Sequence, residues 1–360
     1  MVSFWNIGLI TILSLLQLQA AADPSANIWS NIATAGAESL FKTLQQPKFA
    51  AIEEFFSNQK NITFFLPNDA AIQAATSAGG LNLTQTNSTS HALMYHVISG
   101  THDAQSLLTG RQLFTTESPD DLSLIAGPST QDSNTLQVLS GIVTANVITK
   151  DIQCSNGIIH VIDHFLDFPV NTVETIAQVD ELRSYNKLLT SQNLTNLIVP
   201  RNKTILAPNN EAWTAINGSN LPFGILTHDL KYEIIDGIYL SSQLSQPITL
   251  PTDYARAQVS IQRDGNGQLV VTGQSAQDTA HIVRADILTR NGIVHIVDKV
   301  LAADVGSGGS VDPSQTTRYL GSVPVLQPAS ETNKPKSHGS KTLTTLFPTM
   351  ILVSIVLYIY

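Results

Sequence analysis

An α+β fold built in two copies is what the sequence predicts, and three observations carry that reading. Three blocks of residues recur along the chain in the same order. Within each copy, apolar residues first fall three to four apart, as on helices, and later gather into short strand-like runs. Each copy then closes on an Asn-Gly pair followed by an apolar run, the pattern of a β-hairpin with its return strand. At 360 residues the chain has room for two ordinary domains and tails.

The blocks align closely. Asn61-Ile-Thr-Phe-Phe-Leu-Pro-Asn-Asp-Ala-Ala-Ile72 matches Asn202-Lys-Thr-Ile-Leu-Ala-Pro-Asn-Asn-Glu-Ala-Trp213, at an offset of 141 residues. Leu93-Met-Tyr-His-Val-Ile98 matches Leu230-Lys-Tyr-Glu-Ile-Ile235, at an offset of 137. Asp151-Ile-Gln-Cys-Ser-Asn-Gly-Ile-Ile-His-Val-Ile-Asp163 matches Asp286-Ile-Leu-Thr-Arg-Asn-Gly-Ile-Val-His-Ile-Val-Asp298, at an offset of 135. The period is too long for a solenoid. It describes a duplicated domain whose second copy has shorter loops.

Each copy opens with a helical region, marked by Leu40, Leu44, Ile52, Phe55 and Phe56 in the first and Val173, Ile176, Val179 and Leu182 in the second. A short buried strand follows, Thr63 to Leu66 and Thr204 to Ala207. Pro67 and Pro208 end these strands, since proline has no N–H to give a ladder. Asn68 and Asn209 are suited to cap the next helix. A further helix carries Tyr95 and Tyr232. The last third is strand-like, with the hairpin expected at Ser155-Asn-Gly and Arg290-Asn-Gly as a type I′ turn. Helices first and strands later in each copy is an α+β arrangement.

These blocks resemble the motifs of the fasciclin (FAS1) domain family. Thr-Phe-Phe-Leu-Pro-Asn-Asp-Ala at 63–70 is similar to its first motif, Tyr95-His96 to its Tyr-His motif, and Asn-Gly-Ile-Ile-His-Val-Ile-Asp at 156–163 to its second. The resemblance spans 25–168 and 169–303 and implies two tandem domains, each a β-sandwich or wedge flanked by helices. The second copy departs from the pattern with Glu233 in the histidine position. In animal members an Asp-Ile pair in this region is implicated in receptor adhesion, so the resemblance makes Asp151, Ile152, Asp286 and Ile287 candidate interaction residues. A plainer role stands beside it: isoleucine in the core and aspartate at a strand end. Tyr95 is expected in the core and His96 half-exposed.

The ends read as targeting signals. Residues 1–22 look like a secretory signal, with an apolar run from Ile7 and Ala20-Ala-Ala22 as the cleavage pattern. Beyond Leu301 the composition turns to Gly, Ser, Pro and Thr, read as a stalk over 304–345. The apolar tail 346–360, preceded by a polar spacer and by small residues at Ser330 and Ser337, fits a GPI-attachment signal. A retained tail anchor is the alternative. Secretion gives meaning to six Asn-x-Ser/Thr sequons, at Asn61, Asn82, Asn87, Asn193, Asn202 and Asn217.

Composition narrows the function. Nineteen Lys and Arg against 28 Asp and Glu give a net charge of −9, which provides no footprint for nucleic acid. Charged residues make up 13%, against roughly 25% in a typical soluble domain. A single cysteine, Cys154, placed in the loop before the hairpin, excludes an intrachain disulfide. His160 and His164 share a strand face, but the second copy has Lys299 for the second histidine. His160 and His295 are therefore expected to be buried, hydrogen-bonded and metal-free. No catalytic motif, no metal site and no cofactor is expected. The reading is a non-catalytic, GPI-anchored adhesion glycoprotein at the plasma membrane outer face or cell wall, contacting a cell-surface protein or glycan. The alternative is a membrane-anchored secretory-route or vacuolar membrane-fusion factor.

Overall fold

The structure is a computed structural model that describes residues 22–254 and 257–302. Residues 1–21 of the signal-peptide reading over 1–22, the stalk with Ser330 and Ser337, and the tail 346–360 lie outside the described residues. The described residues all fall within one compact unit.

The first domain begins with α1 (Ile28–Asn31), α2 (Glu38–Leu44) and α3 (Ala50–Asn58), then enters β1 (Ile62–Pro67). Asn68 caps α4 (Asp69–Ser77) by accepting from the Ala71 N–H at 2.8 Å, which supplies one of the amides a helix start leaves unpaired. Next come α5 (Thr86–Tyr95), β2 (Val97–Ser99), α6 (Ala104–Leu107) and the strands β3 (Gln112–Thr115), β4 (Ser123–Pro128), β5 (Leu136–Ser140), β6 (Val143–Cys154) and β7 (Gly157–Ile162). They form one seven-stranded sheet in the order β2-β1-β7-β6-β5-β4-β3, with β1 and β7 parallel and every other pair antiparallel. Pro67 is the last residue of β1 and Gly157 the first of β7, so both sit at element boundaries as expected.

β1 and β7 are apolar on both faces because each face has a core to cover. Ile62, Phe64 and Leu66 pack against the helices with Leu40, Leu44, Ile52 and Phe56. Phe65 and Ile162 point the other way, into a second core with Leu124, Val138, Ala145 and Val147 from the far strands. The sheet thus folds over on itself along β6, giving the wedge that the family resemblance implies.

The second domain repeats this plan with α7 (Thr172–Gln178), α8 (Arg183–Ser191), β8 (Lys203–Pro208), α9 (Asn210–Ala215), α10 (Phe223–Tyr232), β9 (Ile234–Asp236), β10 (Ile248–Pro251), β11 (Gln258–Arg263), β12 (Leu269–Thr272), β13 (Thr279–Leu288) and β14 (Gly292–Val297). Its separate sheet runs β10-β11-β12-β13-β14-β8-β9, the same topology read from the other edge. Asn209 caps α9 on the Ala212 N–H at 2.8 Å, as Asn68 caps α4.

The Asn-Gly pairs do something other than build a type I′ turn. That turn needs positive φ at both central residues, and neither Ser155 nor Asn156 has it. Asn156 is buried instead, and its amide rivets the hairpin to the helices. It accepts from the Ile28 N–H at 2.8 Å and donates to the carbonyls of Phe56 at 2.9 Å and Gln59 at 2.8 Å. Asn291 does the same with the Thr172 N–H and the Val199 carbonyl, both at 2.8 Å. The glycine is needed for close approach: a Cβ on Gly157 would lie 2.1 Å from the Ile62 carbonyl oxygen, and one on Gly292 would lie 2.2 Å from that of Lys203. Cys154, expected in a loop, is the last residue of β6. Its half-buried thiol accepts from Asn31 Nδ2 at 3.4 Å, and burial raises its pKa.

Replacing Asn156 with alanine strands one buried amide N–H and two carbonyls. At about 1–3 kcal/mol for a buried group left unpaired, Asn156→Ala is expected to cost the first domain roughly 3 kcal/mol. Denaturant unfolding measures it, and a loss below about 1 kcal/mol would remove the rivet from this account.

Candidate interaction surface

Two bulges interrupt the pairing of β6 with β7, one between Val147 and Thr149 and one between Thr149 and Ile152. The same two interrupt β13 against β14, between Ile282 and Arg284 and between Arg284 and Ile287. The first bulge pushes one aliphatic side chain to solvent in each domain, Ile148 at 53% exposure and Val283 at 51%. The second holds an aspartate in the left-handed region, Asp151 at φ 60° and Asp286 at φ 64°. A short polar side chain suits that conformation because it bonds locally.

A bulge frees an amide from the ladder, and an unpaired buried N–H is costly. Here the recurring histidines take it. The Asp151 N–H donates to His160 Nδ1 at 3.2 Å, and the Asp286 N–H to His295 Nδ1 at 3.1 Å. The opposite ring nitrogen, Nε2, then donates to the His102 carbonyl at 2.8 Å or the Tyr239 carbonyl at 2.9 Å. Both histidines are fully buried, as expected, and burial lowers the His160 pKa. Asp163 and Asp298 pair the amides of Asn146 and His281, each at 2.7 Å. The aspartate carboxylates of the second bulge cap a neighbouring segment, through the Ala104 N–H and the Ser241 N–H, each at 2.8 Å.

The two domains meet on a seam built around one of these aspartates. Arg111 leaves the start of β3 and is fixed by its own domain, through Nε to the Pro128 carbonyl at 3.1 Å and Nη2 to Gln137 Oε1 at 3.3 Å. Its Nη1 reaches across to Asp286 Oδ2 at 2.8 Å, with the two side chains only 6% and 0% exposed. The Ser241 hydroxyl donates to the same carboxylate, and the Ser242 hydroxyl to the Arg111 carbonyl at 2.6 Å. Around the pair, Ile125 and Leu139 of the first domain pack on Leu240, Leu288 and Ile293 of the second. A buried charge pair is tolerable only when its remaining hydrogen-bond capacity is met, and this one is met on both sides.

Several sequence candidates therefore change standing. Tyr95, Asp286 and Ile287 are buried, and a partner cannot reach them on the folded domain. His96, expected half-exposed, is fully buried. Its Nδ1 donates to the Ala92 carbonyl at 2.7 Å and its Nε2 accepts from the Leu166 N–H at 3.0 Å. Glu233 fills that role in the second domain, accepting from the Leu301 N–H at 3.2 Å. Two unlike side chains share one task, which the substitution alone did not reveal. Tyr95 donates to the Ser123 carbonyl at 2.8 Å and Tyr232 to the Gln258 carbonyl at 2.9 Å. Asp151 and Ile152 remain half-exposed.

All six sequon asparagines, Asn61, Asn82, Asn87, Asn193, Asn202 and Asn217, are exposed. An open groove of about 590 Å³ runs along the seam beside Leu113, Ile238, Ser242 and Gln243, with Arg111 in its wall already engaged. Among the described residues, no three His, Cys, Asp or Glu side chains gather closely enough to hold a metal ion. No helix of the described residues is long and apolar enough to cross a membrane.

Residues 36–169 and 180–303 each match the family model described as the fasciclin domain. Over 266 residues the chain is 26% identical to a fasciclin-like arabinogalactan protein of Arthroderma benhamiae, covering 69% of this chain and 60% of that protein. Over 288 residues it is 24% identical to Fasciclin-1 of Schistocerca americana, covering 70% and 41%. It therefore spans less than two thirds of the length of either relative. Over 270 residues it is 23% identical to the fasciclin-like arabinogalactan protein elcF of Phaeosphaeria nodorum, covering 71% and 82%. Among solved structures, a FAS1 domain pair from the insect cell adhesion molecule Fasciclin I aligns at 19% identity with a TM-score of 0.37, covering 75% of this chain and 98% of that one.

The His96 and Glu233 positions predict opposite pH responses. Burial drives the His96 pKa down from 6.5 to about 4, so its stabilising contribution is complete above pH 6.5 and is lost as pH falls towards 4. That window is worth about 3 kcal/mol to the first domain. Burial, and then the neighbouring Asp229, raise the Glu233 pKa well above 4.5, so its contribution is complete below pH 4.5 and is lost as pH rises. Calorimetry is expected to show Glu233→Gln raising the melting temperature of the second domain at pH 8 and flattening its pH dependence. A lower melting temperature at pH 8 would contradict the assignment.

Proposed function

The chain belongs to the fasciclin domain family, and from that premise we propose that it is a non-catalytic adhesion glycoprotein held at the cell surface by a GPI anchor. One observation carries the non-catalytic reading: the polar side chains that recur in both domains are committed to the backbone. His160 and His295, Asn156 and Asn291, Asp163 and Asp298 each satisfy amides or carbonyls that the bent sheet leaves open. The domains then offer surface, not chemistry. Six exposed sequon asparagines support a secreted, glycosylated surface. The partner is a cell-surface protein or glycan, met through weak contacts that membrane tethering multiplies. The acidic balance of −9 leaves nucleic acid out of the reading.

Phosphatidylinositol-specific phospholipase C acting on intact cells tests location and topology together. The expected outcome is release of a glycosylated protein that shifts in size after N-glycosidase treatment, and that clusters beads coated with it. Retention on the membrane, with recovery of a peptide containing Tyr358 to Tyr360, would replace the GPI anchor with a retained tail and favour the secretory-route alternative.

A further inference from the structure

Two of the six sequons are not the surface loops their pattern calls for, although their asparagines are exposed. Asn61 and Asn202 stand at matching positions, each one residue ahead of a strand paired on both sides, β1 and β8. Both are left-handed, with φ of 57° and 62°, a conformation asparagine tolerates. The Asn61 N–H donates to the Asn156 carbonyl at 2.9 Å, and the Asn61 carbonyl accepts the Gly100 N–H at 2.7 Å. Asn202 repeats the arrangement with the Asn291 carbonyl at 2.7 Å and the Gly237 N–H at 2.8 Å. The backbone of each sequon is therefore held between the return hairpin and the turn after β2 or β9.

The hydroxyl that completes the pattern is committed as well. Thr63 and Thr204 are fully buried. The Thr63 hydroxyl donates to the Gly100 carbonyl at 2.7 Å and accepts the His102 N–H at 2.9 Å. The Thr204 hydroxyl donates to the Gly237 carbonyl at 2.7 Å and accepts the Tyr239 N–H at 3.0 Å. By contrast, Thr84 of the Asn82 sequon and Ser219 of the Asn217 sequon are exposed. Thr89 of the Asn87 sequon is buried, but it sits on the first turn of α5, which can open without the sheet. The nitrogen that carries a sugar stays open throughout: among the described residues, none of the six sequon asparagines donates Nδ2 to a protein acceptor. At Asn61, Asn82 and Asn217 it is Oδ1 that is engaged, as an acceptor.

We propose that Asn61 and Asn202 are glycosylation sites that accept a sugar only before their domain folds, whereas Asn82 and Asn217 accept one in either state. The inference rests on the glycoprotein reading and fixes when the sugar is added. In the transfer, asparagine Nδ2 bonds to the anomeric carbon of a glycosyl diphosphate donor. The sugar–phosphate bond breaks, the diphosphate leaves, and one amide proton is released. A serine or threonine hydroxyl two residues on defines the acceptor, so the transferase has to reach both side chains together. The folded domain presents Nδ2 and withholds the hydroxyl. Exposing Thr63 means parting β1 from β2, and a central strand opens only near global unfolding. Threonine at 63 and 204 thus serves the sequon first and the fold afterwards.

The test uses the full chain made without glycans in bacteria, purified in mild detergent, and treated with a soluble N-glucosyltransferase and UDP-glucose. Synthetic peptides copying residues 57–67, 78–88, 198–208 and 213–223 are treated in parallel, and mass spectrometry follows each asparagine. All four peptides are expected to be modified. In the folded chain, Asn61 and Asn202 are expected to react at least about a hundredfold slower than in their peptides, and Asn82 and Asn217 within about tenfold of theirs. Asn61 or Asn202 reacting in the folded chain as fast as in its peptide would overturn the proposal. So would protection of Asn82 and Asn217 in the folded chain, or peptides of Asn61 and Asn202 that are refused as firmly as the folded domains. Each of these results leaves the glycoprotein reading standing. That reading fails separately, on a chain recovered without glycans from secreting cells, which leaves the access result in place.

Discussion

A sheet that folds over on itself has to break its own hydrogen-bond ladder, and the amides it frees must find partners away from water. That constraint organises both domains. β6 and β13 are the strands that bend, each through two bulges against β7 and β14. The freed aspartate amides go to His160 and His295, and Asp163 and Asp298 take the amides at the other end of the bend. Asn156 and Asn291 tie the return hairpins to the helical layer. Once these groups are satisfied, the wedge has two cores, one under the helices and one between the arms of the sheet. An unpaired buried amide costs about 1–3 kcal/mol, so losing a few of them would consume much of a domain's net stability.

The same bulge then acquires a second use at the seam. The carboxylate that caps Ser241 has an oxygen left over, and Arg111, already clamped by Pro128 and Gln137, completes it. Charge recognition fixes which part of the first domain meets the second, while Ile125, Leu139, Leu240, Leu288 and Ile293 contribute the apolar area. Domain order is thereby built into particular residues: the arginine lies on one domain and its receptor on the other.

Much of this was legible in the sequence, and the limits have physical causes. The duplicated blocks announced two domains of one topology, and the N-cap asparagines and strand-ending prolines could be placed by local rules. Local rules failed for Asn156, where the Asn-Gly pair suggested a type I′ turn. The partners of its side chain are Ile28, Phe56 and Gln59, roughly a hundred residues away in sequence. They failed for His96 as well, because histidine and glutamate look like a loss of function until both are seen accepting one backbone amide. Arg111 carried no signal at all, since its partner lies 175 residues away in the other domain. Ile148 and Val283 occupy matching positions, but only the bulge explains why an aliphatic side chain stands in solvent there.

The central claim is that the recurring histidines serve the bulges of the bent sheet, and amide hydrogen exchange at Asp151 and Asp286 tests it most directly. In the wild type both amides are expected to exchange slowly, as paired groups in a protected core. In His160→Ala, the Asp151 amide is expected to exchange at least about tenfold faster while that of Asp286 keeps its protection. Fast exchange of Asp151 in the wild type, or protection unchanged in His160→Ala, would contradict the account.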